Sequence, residues 1–522
     1  MSNAASAGTV IAAIDVGTNS IHMVVARVGP NGFDVLASEK EVVRLGEGVE
    51  GMDHLTQGAI DRGVAALRHM RRIADAHGAR IRAVATSAVR EADNQRDFLR
   101  AVRSETGIKL EVISGTEEAR LIHLGIGRSL DIARDSVLTI DIGGGSTEFC
   151  VSVRGNLRIA QSLKLGAVRM TDAFLPGGEV TPQGVKKLRA KVQSTLAPLA
   201  HDIGRIGFSR TVLSSGTNET IARVAAGRRD RPAPQSFNGF VFGADELAGV
   251  VDAVLDAESP KERLSIEGLE PKRADIIAAG AVILDETVRM LGIESLEYSD
   301  YALREGVLVD TAQRLGVMPE EPVDAAHQSA VRLAERCSVD MEHSMHVAEL
   351  SARILRAVGR HYEIDQPLER MLRVAALLAN CGNAISYSKH HLHSYYIIRN
   401  ADLMGFSDDE IEMIALTARY HRKSPPKTSH AEYGRLGRND QLAVDLMAGV
   451  LRVATGLDRS HDQCVSEVSS SLRDKTLVLT VRHSCRSEER IELNVHTAQA
   501  RADMLADYLG DEVVIRNGGP LR

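Results

Sequence analysis

The sequence predicts an α/β fold in which one phosphate-loop hairpin occurs twice, each copy opening a domain, followed by an all-α domain and a small α+β end. Three observations carry this. Glycine loops between apolar strands stand at residues 10–28 and 137–153 with matched spacing. Strand and helix patterns alternate after each of them. From Ala325 to Leu457 apolar residues recur at helical spacing almost throughout, and histidines concentrate there. At 522 residues the chain is too long for one core, and domains of roughly 100–200 residues make three or four the expected number. The expected divisions are a disordered lead-in at 1–9, then 10–128, 129–316, 323–457 and 458–522.

In the first domain, Val10 to Val28 reads as two apolar strands around a loop with Asp15, Gly17, Thr18, Asn19 and Ser20. Leu55 to His77 has helical spacing, with Ile60, Val64, Leu67, Met70 and Ile73 on one side and Arg68, Arg71 and Arg72 on the other. Ile81–Thr86 and Lys109–Ile113 read as strands, and Asp97–Thr106 and Glu117–Arg128 as helices, the last with two acids in its first turn.

The second hairpin runs from Val137 to Val153: a buried strand to Ile140, a loop with Asp141, Gly143, Gly144, Gly145, Ser146 and Thr147, and a strand from Phe149. Asp15 aligns with Asp141, Gly17 with Gly143 and Ser20 with Ser146, so the chain contains an internal repeat. Three glycines remove the side chains that would keep backbone N–H groups from an anion, and successive N–H groups in such a turn form an anion-binding concavity. Two such hairpins would face each other across a cleft. Bare carboxylates at Asp141 and Glu148 would repel a phosphate. A hard divalent cation resolves the conflict, because Mg²⁺ takes one or two carboxylates and fills its octahedron with water and phosphate oxygens. Asp141, Gly143 and Glu148 are therefore the expected metal site, for Mg²⁺ or for Mn²⁺, which suits the same oxygen ligands. The structural alternative has Asp141 bonding the turn's N–H groups and Glu148 solvated. Asp15 has two equal readings, ordering the metal's waters or holding its own loop.

Further on, Thr181–His201 reads as a helix, Arg210–Ser214 as a strand, and Ser215-Gly216-Thr217 as the turn opening a helix to Ala226. Gly227–Phe237, rich in arginine and proline, is an expected surface loop, Ile276–Leu291 an apolar helix and Ser295–Ser299 a last strand. Gly316–Pro322 looks like a linker. Pro425-Pro426 interrupts the helical part, and at the end Thr476–Val481 and Arg490–Val495 alternate as strands before an Ala498–Leu509 helix.

The totals exclude several classes. A net charge of −7 advertises no polyanion at the whole-chain level, so no nucleic-acid partner is expected and any polyphosphate site must be a local basic feature. Five cysteines, odd in number and without CxxC spacing, argue against structural disulfides and a zinc site. No apolar run approaches the roughly 18 residues of a membrane span, and the N-terminus lacks a basic start and an apolar core, so the cytoplasm is the expected compartment.

Five segments occur together and in order: Ala13-Ile-Asp-Val-Gly-Thr-Asn-Ser20, Ala85-Thr-Ser-Ala-Val-Arg-Glu-Ala92, Ile113-Ser-Gly-Thr-Glu-Glu-Ala-Arg-Leu-Ile122, Asp141-Ile-Gly-Gly-Gly-Ser-Thr-Glu148 and Ser214-Ser-Gly-Thr217. In these the sequence resembles the exopolyphosphatase and guanosine pentaphosphate phosphohydrolase family, closely over the first three fifths and more loosely beyond. The resemblance implies two ribonuclease-H-like domains of the actin, hexokinase and sugar-kinase superfamily. It places the water-activating base at Glu118, where the bland alternative for Glu117 and Glu118 is complementing a helix dipole. Arg90 would grip two phosphate oxygens, its alternative being an ion pair with Glu91 or Asp93. Gly17, Thr18, Asn19 and Ser20 would face Gly144, Gly145, Ser146 and Thr147 across the phosphate, and Ser215, Gly216 and Thr217 correspond to the superfamily's third nucleotide-contacting loop, or form a simple N-cap.

The helical part resembles metal phosphohydrolases named for a His-Asp pair. Here Asn380-Cys381 stands where that pair should be, so a catalytically silent HD-like domain is expected. By the same resemblance Lys389, His390, His393, Arg419, His421, Arg422 and Lys423 would line a channel guiding a long polyphosphate chain. The activity so implied is Mg²⁺-dependent release of orthophosphate from inorganic polyphosphate by a homodimer. The alternatives are guanosine pentaphosphate 5′-phosphohydrolysis, with (p)ppGpp-type nucleotides as ligands, and a non-catalytic polyphosphate or alarmone sensor.

Overall fold

Strand β1 (Thr9–Val16) is apolar on both faces and buried over most of its length, as a central strand must be. It pairs antiparallel with β2 (Ser20–Gly29) through the first glycine loop, and β2 pairs with β3 (Gly32–Val42). On its other side β1 runs parallel to β4 (Arg80–Ala85), which is parallel to β5 (Leu110–Val112). The second sheet repeats the plan. Strand β6 (Ser136–Ile142) pairs antiparallel with β7 (Thr147–Val153), β7 with β8 (Asn156–Leu163), and β6 runs parallel to β9 (Arg210–Ser214). Strands β10 (Phe240–Gly243) and β11 (Ser295–Tyr298) complete it. The orders β3-β2-β1-β4-β5 and β8-β7-β6-β9-β11-β10 share one beginning, so the sequence repeat is a repeat of topology.

The chain is seen in a computed structural model, which describes residues 9–30, 32–46, 53–229, 234, 236–319, 325–364, 368–401, 403–404, 406–485 and 487–521. Residues 1–8 of the expected lead-in, 230–233 and 235 of the expected surface loop, and 320–322 of the expected linker lie outside these. Side chains in two of those segments are nonetheless drawn into a core. Phe237 is buried, with the Arg223 guanidinium 4.6 Å from its ring centre, and Met318 is buried in the core beneath the first sheet. An aromatic ring and a thioether carry enough apolar surface to be drawn in from a loop.

Around the sheets stand α1 (Gln57–Ala76), α2 (Ser87–Glu91), α3 (Gln95–Thr106), α4 (Gly115–Ser129), α5 (Ala167–Phe174), α6 (Pro182–Ile206), α7 (Ser215–Gly227), α8 (Ala244–Asp256), α9 (Pro260–Arg263), α10 (Ile277–Leu291) and α11 (Leu303–Arg314). In α1 the residues spaced for burial, Ile60, Val64, Leu67 and Met70, are buried, and Thr56 caps the helix by accepting from the Ala59 amide. The position of α4 is set by α11. A Cβ on Gly306 would stand 1.8 Å from the Leu121 carbonyl oxygen and one on Gly125 2.3 Å from that of Ala302, so both glycines are needed for the helices to touch. Leu303, Val307 and Leu308 share a core with Ile11, Ala13 and Val84, which brings α11 back to the first sheet.

Arg263 at the end of α9 is fully buried and, among the described residues, makes no side-chain ion pair; it donates instead to the carbonyls of Gly178 at 2.8 Å, Ala274 at 2.9 Å, Val254 at 3.2 Å and Glu258 at 3.3 Å. Arg263→Ala should therefore destabilise the protein by roughly 3 kcal/mol or more, since a cavity and several unsatisfied buried carbonyls are left together. Denaturant melting checks this, and a loss under about 1 kcal/mol would mean that water reaches those carbonyls.

Residues 1–323 and 324–522 form two separate units. In the second, one core runs from Ala326 to Ile515 and joins the helices to a sheet of β12 (Val465–Arg473), β13 (Thr476–His483) and β14 (Glu512–Pro520). The expected strand Arg490–Val495 is instead part of a helix, Glu488–Gln499. Its apparent alternation misleads because Leu493 is 47% exposed while Ile491, Asn494 and Ala498 are buried, which is helical spacing. The helix expected over 498–509 covers only Asp503–Leu509. Cys464 and Cys485 are disulfide-bonded, against expectation. They flank β12 and β13, and antiparallel pairing of Val465 with His483 brings them to a Cα separation of 4.7 Å, a proximity that spacing of 21 residues does not reveal. No described helix is long and apolar enough to cross a membrane.

Candidate active site

The two loops are built alike. Gly17 N–H donates to the Ser20 carbonyl at 3.1 Å, and Gly143 N–H to that of Ser146 at 2.9 Å. In each, the outward carbonyls are taken by the segment that follows the third strand. Asn19 O accepts from the Val43 and Arg44 amides, and Thr18 O from Gly46. Gly143 O accepts from Ala167, and Gly144 O from Val168 and Arg169, the amides that begin α5. Among the described residues, the Gly144 and Gly145 amides donate to no backbone carbonyl, which leaves them for an anion. The loops also touch: a Cβ on Gly145 would stand 2.7 Å from Thr18 Oγ1, and one on Gly144 3.1 Å from Thr18 Cβ.

A cavity of about 430 Å³ opens over this contact and collects most of the expected residues: Gly17, Thr18, Asn19, Ser20, Gly143, Gly144, Gly145, Ser146, Ser215, Gly216, Thr217, Glu118, Asp141 and Glu148. Two expected residues do not line it. The Thr147 hydroxyl is buried and donates to the Leu165 carbonyl, holding the base of the loop. Arg90 donates from Nη1 to Glu118 Oε2 at 2.9 Å and to the Ile113 carbonyl at 2.9 Å. Its partner is thus neither Glu91 nor Asp93, and its reach toward phosphate is limited by the acid it already holds.

The adjacent acids of α4 separate cleanly. Glu117 is buried under a two-point hydrogen bond from Arg120, which also reaches Asp310 on α11. Glu118, one residue and about 100° further round the helix, faces the cavity. Burial raises its carboxyl above the ordinary range despite Arg90 beside it. Asp141 accepts from Ser214 Oγ at 2.5 Å and is pushed up to about 6 by burial. Glu148 accepts from Ser162 Oγ at 2.7 Å and is raised well above the carboxylate range, by burial and then by Glu118 and Asp141. Asp15 is pushed up to about 8, again by burial first and then by Glu118, and its Oδ1 is buried without a hydrogen-bond partner among the described residues. Glu118 raises Asp15, Asp141 and Glu148 alike, and these carboxyls beside the Asp15 oxygen are a donor set that suits a hard cation. Among the described residues no three acid or imidazole side chains enclose an ion by themselves, so water and phosphate oxygens would complete the shell.

Ser214 precedes α7 but caps nothing with its hydroxyl, which goes to Asp141, so Ser215, Gly216 and Thr217 are not a simple N-cap. Lys40, Arg273 and Arg304, with His22, line the cavity and were not foreseen. They come from β3, from the segment after α9 and from the start of α11, and no local spacing connects them. His22 is driven well below its usual range by burial and by those three cations, so it is neutral, and its Nε2 lies 3.0 Å from Ser20 Oγ.

In the second unit the expected channel residues divide. His390 and His421 are buried, their rings stacked 5.7 Å apart, and burial pushes His421 down to about 3. Arg419 is paired with Glu432 at 3.0 Å. Arg422 lies 3.1 Å from His390 Nδ1, and only Lys389, His393, Arg422 and Lys423 retain exposure without an ion pair among the described residues. The patch is smaller than expected because imidazoles lose their charge when buried. At the pair expected to replace His-Asp, Asn380 precedes a short 3-10 turn and Cys381 is buried, while His343 Nδ1 lies 2.7 Å from Asp458 Oδ2.

Residues 24–315 match the model of the Ppx/GppA phosphatase family, and 326–498 match its domain III. The chain belongs to the Ppx/GppA phosphatase family. It is a hydrolase of phosphoanhydrides, as Ppx/GppA members are. A relative from Aeromonas hydrophila subsp. hydrophila, guanosine-5'-triphosphate,3'-diphosphate pyrophosphatase, is 29% identical over 411 residues, 77% of this chain and 79% of its own. A crystal structure of an exopolyphosphatase from Cytophaga hutchinsonii is 27% identical, with a TM-score of 0.55, covering 59% of this chain and 99% of that one. The Aquifex aeolicus Ppx/GppA family member is 26% identical, with a TM-score of 0.50, over 59% of this chain and 98% of its own.

Proposed function

We propose that this Ppx/GppA phosphatase is an exopolyphosphatase, releasing orthophosphate from the terminal phosphoanhydride of inorganic polyphosphate, with Mg²⁺, or Mn²⁺, at Asp141 and Glu148. The observation that supports it most is the meeting of both phosphate loops over one cavity that also holds Glu118. The terminal phosphate would lie between the free amides of Gly144 and Gly145 and the hydroxyls of Thr18 and Ser20. Glu118, steadied by Arg90, takes a proton from water as the water attacks phosphorus and the anhydride P–O bond breaks, leaving the shortened chain with the departing oxygen, and its raised carboxyl makes it a stronger base than a solvated glutamate. When bound, the cation neutralises charge on the phosphate oxygens. Lys40, Arg273 and Arg304 give the remaining phosphates of the substrate a cationic wall.

A second reading, guanosine pentaphosphate 5′-phosphohydrolase, has one specific observation behind it. The 411 residues aligned with the Aeromonas relative exceed the 323 of the N-terminal unit, so a protein named for a nucleotide shares part of the second unit too. The helical extension alone therefore does not favour a polymer. What favours it is the cationic face of exposed Lys389 and Lys423 with half-buried Arg422 between them and His390. Orthophosphate release is measured with long-chain polyphosphate and with guanosine pentaphosphate at matched terminal phosphate. The polymer should be the faster substrate, and Lys389→Ala/Arg422→Ala/Lys423→Ala should raise KM several-fold for long chains and leave short ones unchanged. Faster release from the nucleotide makes the second reading correct.

A further inference from the structure

The glycine loop of the second sheet and the helix bearing Arg90 belong to opposite halves of the N-terminal unit, yet one arginine joins them. Arg169, on α5, is only 12% exposed and donates from Nε to the Gly145 carbonyl at 2.8 Å and from Nη2 to Glu91 Oε1 at 3.0 Å. Glu91, at the end of α2 and 14% exposed, also accepts from Ser87 Oγ at 2.9 Å, while its Oε2 lies 2.6 Å from Lys164 Nζ. Lys164 is 71% exposed, so its pairing contributes little. The next residue back from Glu91 is Arg90, whose guanidinium holds Glu118.

A continuous path of bonds thus runs from the phosphate loop to the carboxylate opposite it: Gly145 O, Arg169, Glu91, the backbone of α2, Arg90, Glu118. Neither Glu91 nor Arg169 lines the cavity, so neither is placed to touch the substrate. The fit at this junction is tight, for a Cβ on Gly145 would stand 2.5 Å from Ser87 Oγ. Ser87 is bonded to Glu91 as well, so Ser87 and the arginine that holds the loop converge on one carboxylate.

We propose that the Glu91–Arg169 pair is a clasp between the two halves of the unit, and that Arg169 is a positioning residue that fixes the distance between the glycine loop and Glu118. The clasp rests on the reading of Glu118 as the base. Lysine cannot replace the arginine, because a single ammonium does not present two donors in a fixed fork to Gly145 O and Glu91 together. A displacement of about 1 Å between reacting groups can cost about 10²-fold in rate.

The test is a double-mutant cycle on the full chain. Arg169→Ala and Glu91→Ala should each lower kcat about 30-fold to 100-fold with KM changed less than about threefold, and the double variant should be no slower than either single one. Arg169→Lys should be nearly as slow as Arg169→Ala, while Glu91→Gln, which keeps a neutral acceptor for Arg169 and Ser87, should lose only a few-fold. Amide hydrogen exchange at residues 143–146 supplies a readout apart from turnover. It should quicken in Arg169→Ala and Glu91→Ala, and stay as in the wild type in Glu118→Gln. Effects that multiply in the double variant, a loss confined to KM, or unchanged kcat in Arg169→Ala would each overturn the clasp. If Glu118→Gln kept full activity while the clasp variants lost both kcat and protection, the base assignment would fall and the clasp would stand.

Discussion

Glu118→Gln should lower kcat by about 10²–10⁴-fold, the usual contribution of a positioned general base, while polyphosphate binding stays measurable. Glutamine fills the same volume, and its amide oxygen can still accept from Arg90, so the geometry around the Arg90 hydrogen bond is kept. What disappears is the ability to take a proton. The pH dependence distinguishes this from a general disturbance of the site. Burial raises the Glu118 carboxyl above the usual range, and the base works only as carboxylate. Wild-type activity should therefore fall as pH drops through that raised value, earlier than for a solvated glutamate, and recover above it. In Glu118→Gln the limb assigned to this group should be absent and the residual rate flat over the same interval. A variant with the wild-type rate would remove Glu118 from the chemistry. One with a lowered rate but an unchanged acid limb would assign the limb to another of the cavity's carboxyls.

The hairpins were legible in the sequence because their determinants are local. Glycines, a leading aspartate and a closing serine specify a turn within six residues, and the apolar strands beside them need no distant partner to be recognised. The third strands, β3 and β8, were not foreseen: β3 is partly exposed and carries Asp34, Glu39, Lys40 and Glu41, and β8 holds only Leu157 and Ala160 fully in the core. The side chains of the site show the same division. Adjacent acids at 117 and 118 look alike as charges, and only the placement of Arg120 and Asp310 marks Glu117 as structural. Asp15 kept two readings because burial decides between them, and its orphaned Oδ1 points away from a role in bonding its own loop. Lys40, Arg273 and Arg304 meet only through tertiary folding across more than half the N-terminal unit. Histidine-rich composition overstated the cationic face of the second unit for the opposite reason, since a count of imidazoles does not say which are buried and neutral.

Asp141→Asn should abolish most activity and shift the metal titration by at least the roughly 10–100-fold that even the hydrogen-bond partners of metal ligands cost when removed. Asparagine retains an oxygen for the Ser214 hydroxyl, so the β6–β9 junction need not open. It does not retain the negative charge, which is what a divalent ion requires of this position. The sign of the pH effect follows from competition between proton and cation. Without metal, burial pushes the Asp141 carboxyl up to about 6, so below that pH the proton occupies the oxygen the ion would use. The Mg²⁺ concentration needed for half-maximal activity should rise as pH falls from about 8 to about 5.5, and this rise should be smaller in Asp141→Asn, where of the two ligands only Glu148 can still take a proton. Mg²⁺ titrations of orthophosphate release at the two pH values, for both proteins, measure it directly. A titration unchanged by the substitution would show that the ion, if one is used, sits elsewhere; Asp15, with its unpartnered oxygen on the opposite loop, would then be the next ligand to replace.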